Sequence, residues 1–214
     1  MYPMFFHDRP VPTLPAGKGR IRFCVQGYFD STRRQYSLLV EALQQLAAEG
    51  AEGFDVTIMG RSFSADFRSF HRDIRRRGLG KYINYTWKGI GYATYYRLLN
   101  SIDYVMPLVS RASHPEYFVS KVTSSVVAAT GFGKVCVLDE TLAGFYGIES
   151  AAFTYTGDLA DAMRRALRAS DDDRAALRRR VLAIREERLQ QSKQQLGQAI
   201  QQVTRPARVV EAAL

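Results

Sequence analysis

Ile21-Arg22-Phe23-Cys24-Val25, then Phe54-Asp55-Val56-Thr57-Ile58-Met59, Tyr82-Ile83-Asn84-Tyr85-Thr86-Trp87, Tyr104-Val105-Met106-Pro107-Leu108-Val109 and Lys134-Val135-Cys136-Val137-Leu138 are five short β-rich apolar runs. Between them lie stretches with apolar residues at helical spacing. The clearest is Leu38, Leu39, Ala42, Leu43 and Leu46, on a helix expected over Tyr36 to Ala48 and closed by Gly50. Strands separated by helix-length segments need crossover connections, so the expectation is a doubly wound α/β domain with a parallel sheet of about five strands covered on both faces. In such sheets ligands bind beyond the carboxyl ends of the strands, where the strand order reverses. Functional residues are therefore sought just after each run.

The chain has 214 residues, 46% of them apolar, enough for one ordinary domain with a buried core plus an appendage. Met1 to Pro10 is too short and polar for a signal peptide, and no run of about 18 apolar residues follows, so a soluble, cytoplasmic protein is expected. Cys24 and Cys136 fall in the first and fifth runs, which places them on non-adjacent strands and argues against a disulfide or a metal site. The net charge of +9 is compatible with nucleic acid, an anionic membrane surface or a phosphate-bearing substrate. The arginines of Arg72 to Arg77 and of Arg164 to Arg188 read as solvated helix faces.

Residues 1–20, with Pro10, Pro12, Pro15, Gly17 and Gly19, read as a lead-in arm or interdomain linker. The domain proper spans 21–169 and closes with a helix over Gly157 to Ala169. Residues 170–214 form a long helix and tail. Ser170 is the expected cap, and Asp171, Asp172 and Asp173 suit the positive end of the helix dipole. Leu177, Val181, Ile184, Leu189, Leu196, Ile200 and Val203 keep one stripe to about Val203, a helix of roughly 50 Å that must pack on the body, reach another domain or pair with another chain.

Three segments carry candidate chemistry. After the first run, Gly27 allows close approach of a ligand to the backbone, while Arg33 and Arg34 offer forked donors suited to phosphate oxygens. A capped helix with merely exposed arginines fits the same residues equally. After the second run comes Gly60-Arg61-Ser62, again a small residue where a strand meets a loop. After the fourth run, the loop with Glu116 and Tyr117 leads to a helix expected from Ser120 to Ala129. Its opening turn, with Lys121, Thr123, Ser124 and Ser125, suits a diphosphate; the alternative is that Ser120 caps the helix and Lys121 points to solvent. Other patterns fail. Gly131-Phe132-Gly133-Lys134 lacks the earlier glycine and the hydroxyl of a P-loop, Asp171 and Asp173 belong to a helix start, and His7, His71 and His114 lack ligand spacing.

These residues also carry a resemblance. Val25-Gln26-Gly27 with Arg33-Arg34, Ile58-Met59-Gly60, Tyr95-Tyr96-Arg97-Leu98-Leu99 before Ile102 to Pro107, Tyr117-Phe118 with Lys121 to Ser125, Gly131 to Lys134 and Tyr146-Gly147 together resemble the C-terminal, donor-binding half of a GT-B glycosyltransferase over roughly residues 20–170. The resemblance implies a Rossmann-like domain that holds a nucleoside diphosphate sugar without a metal or other cofactor, and terminal helices that cross back to an acceptor domain. It implies that Arg33 or Arg34 contacts the donor diphosphate, that Gly27 permits close approach, and that the Tyr117 to Ser125 segment contacts phosphate and sugar. In many retaining members two glutamates occupy positions aligned with Ser120 and Ala128; here Glu116 and Lys121 are the nearby substitutes. Residues 1–20 are expected to be only the arm that would lead out of an acceptor domain.

The function expected on this basis is sugar transfer from a nucleoside diphosphate sugar to a glycan or lipid-linked acceptor in polysaccharide biosynthesis, in the cytoplasm or at the inner membrane surface. An acceptor-domain chain or a second copy is the expected partner of the C-terminal helix. Two other readings are a non-catalytic scaffold that keeps the donor-domain fold and a basic nucleic-acid-binding module. The module lacks the interleaved basic and aromatic pattern of a stacking platform. The base, the sugar and the stereochemical outcome stay open.

Overall fold

The computed structural model describes residues 19–60, 64–86, 90–109, 111–112 and 114–204. The strands are β1 (Ile21–Gln26), β2 (Phe54–Met59), β3 (Ile83–Tyr85), β4 (Tyr104–Val105), β5 (Val135–Asp139) and β6 (Ala152–Tyr155), and the helices α1 (Tyr36–Ala48), α2 (Ala65–Arg76), α3 (Tyr92–Ser101), α4 (Ser124–Gly131), α5 (Glu140–Tyr146), α6 (Leu159–Arg168) and α7 (Asp171–Thr204). All sheet pairings are parallel, in the order β3-β2-β1-β4-β5-β6. This is the doubly wound arrangement expected, and its order reverses between β1 and β4.

The period of two along each strand sorts the core into two layers. Phe23, Val25, Val56, Ile58 and Val137 face α1, α2 and α6. Cys24, Met59, Val105, Cys136 and Leu138 face α3, α4 and α5. Both layers are apolar because helices cover both faces of the sheet, which is why the strands read as continuous apolar runs. Cys24 and Cys136 are free and buried, separated by β4, as expected.

Several boundaries differ from expectation. A sixth strand, β6, extends the expected five; three of its four residues are only partly buried at the sheet edge, so it carries a weak apolar signal. The helix α5 was likewise not anticipated; Asp139 caps it by accepting from the Thr141 and Leu142 amides. Tyr82 belongs to a single 3₁₀ turn, Leu79–Tyr82, rather than to β3, and Trp87 lies outside the described residues. The paired part of β4 is two residues, because Pro107 has no amide to donate and Leu108 turns to a φ of 53°.

The long helix α7 begins where expected. Ser170 Oγ accepts from the Asp173 amide at 3.1 Å, while the Asp173 carboxylate accepts from the Ser170 amide at 3.1 Å. Its first half packs on the body through Val181 and, partly, Leu177 and Ile184, whereas Leu196, Ile200 and Val203 are exposed. Several arginines read as a solvated face instead close helix ends and turns. Arg185 donates to Gly131 O at 3.1 Å, Arg188 to Tyr146 O and Arg180 to Ser150 O at 3.0 Å, supplying partners to carbonyls at or near the ends of α4 and α5. Arg164 grips Glu49 with two hydrogen bonds of 2.9 and 2.7 Å and ties α6 to the end of α1. Among the described residues no helix is long and apolar enough to cross a membrane.

Candidate functional site at the strand-order reversal

The carboxyl ends of β1 and β4 meet where the sheet order reverses. Gly27 leaves β1 with a φ of 111°, a conformation open to glycine, while its amide still donates to Met59 O at 2.8 Å. Gly60 leaves β2 beside it, so near that a Cβ there would overlap the Gly27 carbonyl. The Thr86 hydroxyl, after β3, accepts from the Gly60 amide at 3.0 Å and holds this turn in place. Two successive strands thus end in bare backbone, packed against the Arg34 guanidinium at Gly27 and against the Gly27 carbonyl at Gly60.

Arg34 closes the same place from the turn that precedes α1. Its Nη1 donates to Pro107 O at 2.9 Å and its Nη2 to Gln26 O, so one guanidinium joins the carbonyls that follow β1 and β4. Gln35 N–H donates to Leu108 O at 2.9 Å and reinforces the join; Leu108 is the one described non-glycine residue with positive φ. Strained backbone of this kind persists where surrounding contacts over-determine it. Of the two arginines proposed for phosphate, Arg34 is therefore a part-buried strut. Arg33 is the exposed one, with 67% of its side chain accessible, and pairs with Asp30 at 3.0 Å. Hydrogen bonds from Thr32, aided by Arg33, hold the Asp30 carboxyl below its ordinary range.

The loop after β4 turns through a 3₁₀ segment, Pro115–Phe118, and delivers α4. Ser120 does not cap that helix. The helix starts at Ser124, and Thr123 caps it, its hydroxyl accepting from the Ser125 amide at 3.4 Å. Ser120 and Lys121 are held back because both amides donate to Glu116 O, at 2.9 and 2.7 Å. Lys121 Nζ meets the Glu116 carboxylate at 3.2 Å on the surface and lies 6.0 Å from the centroid of the Tyr117 ring. The Glu116 carboxyl is lowered by its own backbone amide and then by Lys121. The Thr123 amide is not free, since it donates to the Tyr146 hydroxyl at 2.6 Å. Ser125 is buried with its amide on the Thr123 hydroxyl, so what α4 offers a ligand is the exposed Ser124 at its start.

The fold thus brings Gly27, Gly60 and Arg34 into one contact at the reversal point. Thr123, Ser124 and Ser125 start the helix that follows β4, and Arg33, Glu116, Tyr117 and Lys121 stand on the adjoining loops. Arg61 lies outside the described residues. Gln26, Thr86 and Tyr146 were missed as site residues. Of these, Gln26 had a signal, a polar residue closing an apolar strand; its Oε1 is buried without a hydrogen-bond partner among the described residues, as is Ser125 Oγ. A cavity of 570 Å³ lies elsewhere, between α1 and α2 against Phe29, Tyr36 and Phe70. No glycine among the described residues lines it, whereas Gly27 and Gly60 meet at the reversal point, which is the better candidate. Among the described residues no cluster of three or more His, Cys, Asp or Glu side chains could hold a metal ion, and the Cys24 thiol, pushed far up by burial, is not a nucleophile.

No protein-family model matches the sequence, and no curated protein matches it either. Solved structures match the fold. The UDP-forming α,α-trehalose-phosphate synthase from Burkholderia xenovorans, in complex with glucose-6-phosphate, superposes with a TM-score of 0.60 at 13% identity, over 79% of this chain and 41% of that one. The α,α-trehalose 6-phosphate synthase from Burkholderia multivorans gives 0.57 at 15% identity, over 89% and 45%. A trehalose-6-phosphate protein of E. coli bound with UDP-2-fluoro glucose gives 0.54 at 14%, over 79% and 41%. The chain spans less than half the length of each of these structures, and it shares with them a doubly wound, Rossmann-like fold.

Proposed function

We propose that this chain is the donor-binding half of a glycosyltransferase, holding a nucleoside diphosphate sugar beyond the carboxyl ends of β1 and β4 for transfer to a glycan or lipid-linked acceptor. The observation that carries the reading is the contact of Gly27 with Gly60 beneath the Arg34 strut, with the start of α4 following the adjacent strand. The exposed start of α4 at Ser124 supplies a donor for the diphosphate, and the exposed Arg33 supplies a charge for the leaving group. Lys121, with Glu116, is the second cation within the same set of loops. Among the solved neighbours, UDP-forming synthases and a protein bound to a UDP sugar support UDP as the first base to test.

The test is calorimetric titration of the purified chain with UDP, GDP and ADP at two salt concentrations, repeated on Arg33→Gln and Lys121→Ala. One nucleotide binding selectively, and about tenfold more weakly in either variant, supports the donor site. No binding, or equal salt-sensitive binding of all three, overturns it. A second reading, a scaffold that keeps the fold and pairs through α7, is favoured by the exposed Leu196, Ile200 and Val203 stripe. It predicts self-association or capture of an acceptor-domain chain without nucleotide binding.

A further inference from the structure

At the other end of the sheet, where β4 and β5 begin, a cavity of 280 Å³ opens between the strands and α7. Its charged lining is Lys134, Arg174, Arg178 and Asp103. Lys134 immediately precedes β5 and is only 9% exposed; its Nζ donates to Asn100 O at 2.6 Å and has no ion-pair partner among the described residues. Arg178 comes from the second turn of α7, with its Nε over Gly133, and likewise forms no ion pair there. Arg174 donates to Ala169 O at 2.5 Å and pairs with Asp171 at 2.6 Å, so its charge is partly answered. Asp103 is exposed, and its Oδ2 already accepts from the Arg22 amide at 2.8 Å.

Three cations thus share a small cavity with one engaged carboxylate. A buried ammonium beside a guanidinium, with no anion between them, is an unfavourable arrangement, and a fold tolerates it where something else supplies the negative charge. A tetrahedral dianion meets the need, since a lysine and a forked arginine donate to several of its oxygens at once. Burial, then the nearby Arg178, pulls the Lys134 ammonium down to about 8, with Asp103 opposing. An added anion would restore the charged form.

We propose that this cavity binds a phosphate group through Lys134 and Arg178, at the amino ends of β4 and β5, separate from the donor site at the carboxyl ends. The proposal does not depend on the donor reading.

The test uses the full chain, ¹⁵N-labelled and titrated with sodium phosphate against sodium chloride at equal ionic strength. The amides of Gly133, Lys134 and Val135 report this cavity; those of Ser124 and Ser125 report the donor site. Saturable shifts at Gly133 to Val135 with phosphate alone, at least fivefold weaker in Arg178→Gln and in Lys134→Met, support the site. Arg178 is exposed, so its variant folds even where the buried Lys134→Met does not. Shifts confined to Ser124 and Ser125, equal shifts with chloride, or an affinity unchanged in Arg178→Gln would overturn it.

Discussion

Gly60 stands against the carbonyl of Gly27 with no room for a Cβ between them, so the ends of β1 and β2 touch through bare backbone. Gly60→Ala must push one of two turns aside, and neither neighbour is a flexible side chain. The expected loss is about 1–3 kcal/mol in urea unfolding, the range of overpacked sites, together with loss of nucleotide binding. A variant as stable as the parent would show that the turns are not in contact.

Arg33 and Arg34 should separate cleanly. Arg34→Met removes both hydrogen bonds that join the Gln26 and Pro107 carbonyls and leaves them buried, so stability should fall by about 2–3 kcal/mol. Arg33→Gln acts on an exposed side chain and should change stability by less than about 0.5 kcal/mol, while weakening UDP binding about tenfold. Denaturant titration alongside calorimetry on both variants reads the two effects independently.

Tyr146→Phe orphans the Thr123 amide, which donates to the tyrosine hydroxyl at 2.6 Å in a buried setting. The expected cost is about 1–3 kcal/mol, with hydrogen exchange quickened at Thr123. Unchanged exchange there would mean the cap of α4 does not rely on α5.

Lys134 gives the chain a pH signature. Its amine titrates at about 8 when folded, against 10.5 when unfolded. Below the folded value both states carry the proton and the folded state bears the strain. Between the two values the unfolded chain binds the extra proton, so this group's contribution to stability rises with pH, by roughly 3 kcal/mol across the window. Tyr85 and Tyr104, pushed up to about 12 by burial, act in the opposite sense above about pH 10. Comparing Lys134→Met with the parent cancels them. In phosphate-free buffer the stability of the variant relative to the parent should fall between about pH 7.5 and pH 9.5.

Leu196→Glu with Ile200→Glu should leave monomer stability within about 0.5 kcal/mol, because both side chains are more than half exposed. Sedimentation of the parent and the double variant shows whether that stripe holds a second copy. A marked fall in thermal stability of a monomeric variant would mean the stripe packs on its own domain.

Much of this was legible along the chain. The limits of α1 and β2, the Ser170 cap and the separated cysteines all follow from local periodicity and capping chemistry, as does the alternation of strands with helices that requires a parallel sheet. Arg34 was legible as a basic residue near Gly27 but not as a strut, since the Pro107 carbonyl it binds is 73 residues away. The start of α4 was misplaced because Ser120 and Thr123 are equally good caps by type. The choice falls to the backbone turn on Glu116 and the distant Tyr146.

Short-range chemistry decided which segments become strands and helices, because hydrophobic period, caps and turn residues act within a few positions. Tertiary structure decided that β1 lies beside β4, that Gly27 touches Gly60, and that Lys134 and Arg178 share a cavity. Those relations rest on strand order and helix packing across tens of residues, where burial of whole faces, rather than any local spacing, selects the arrangement.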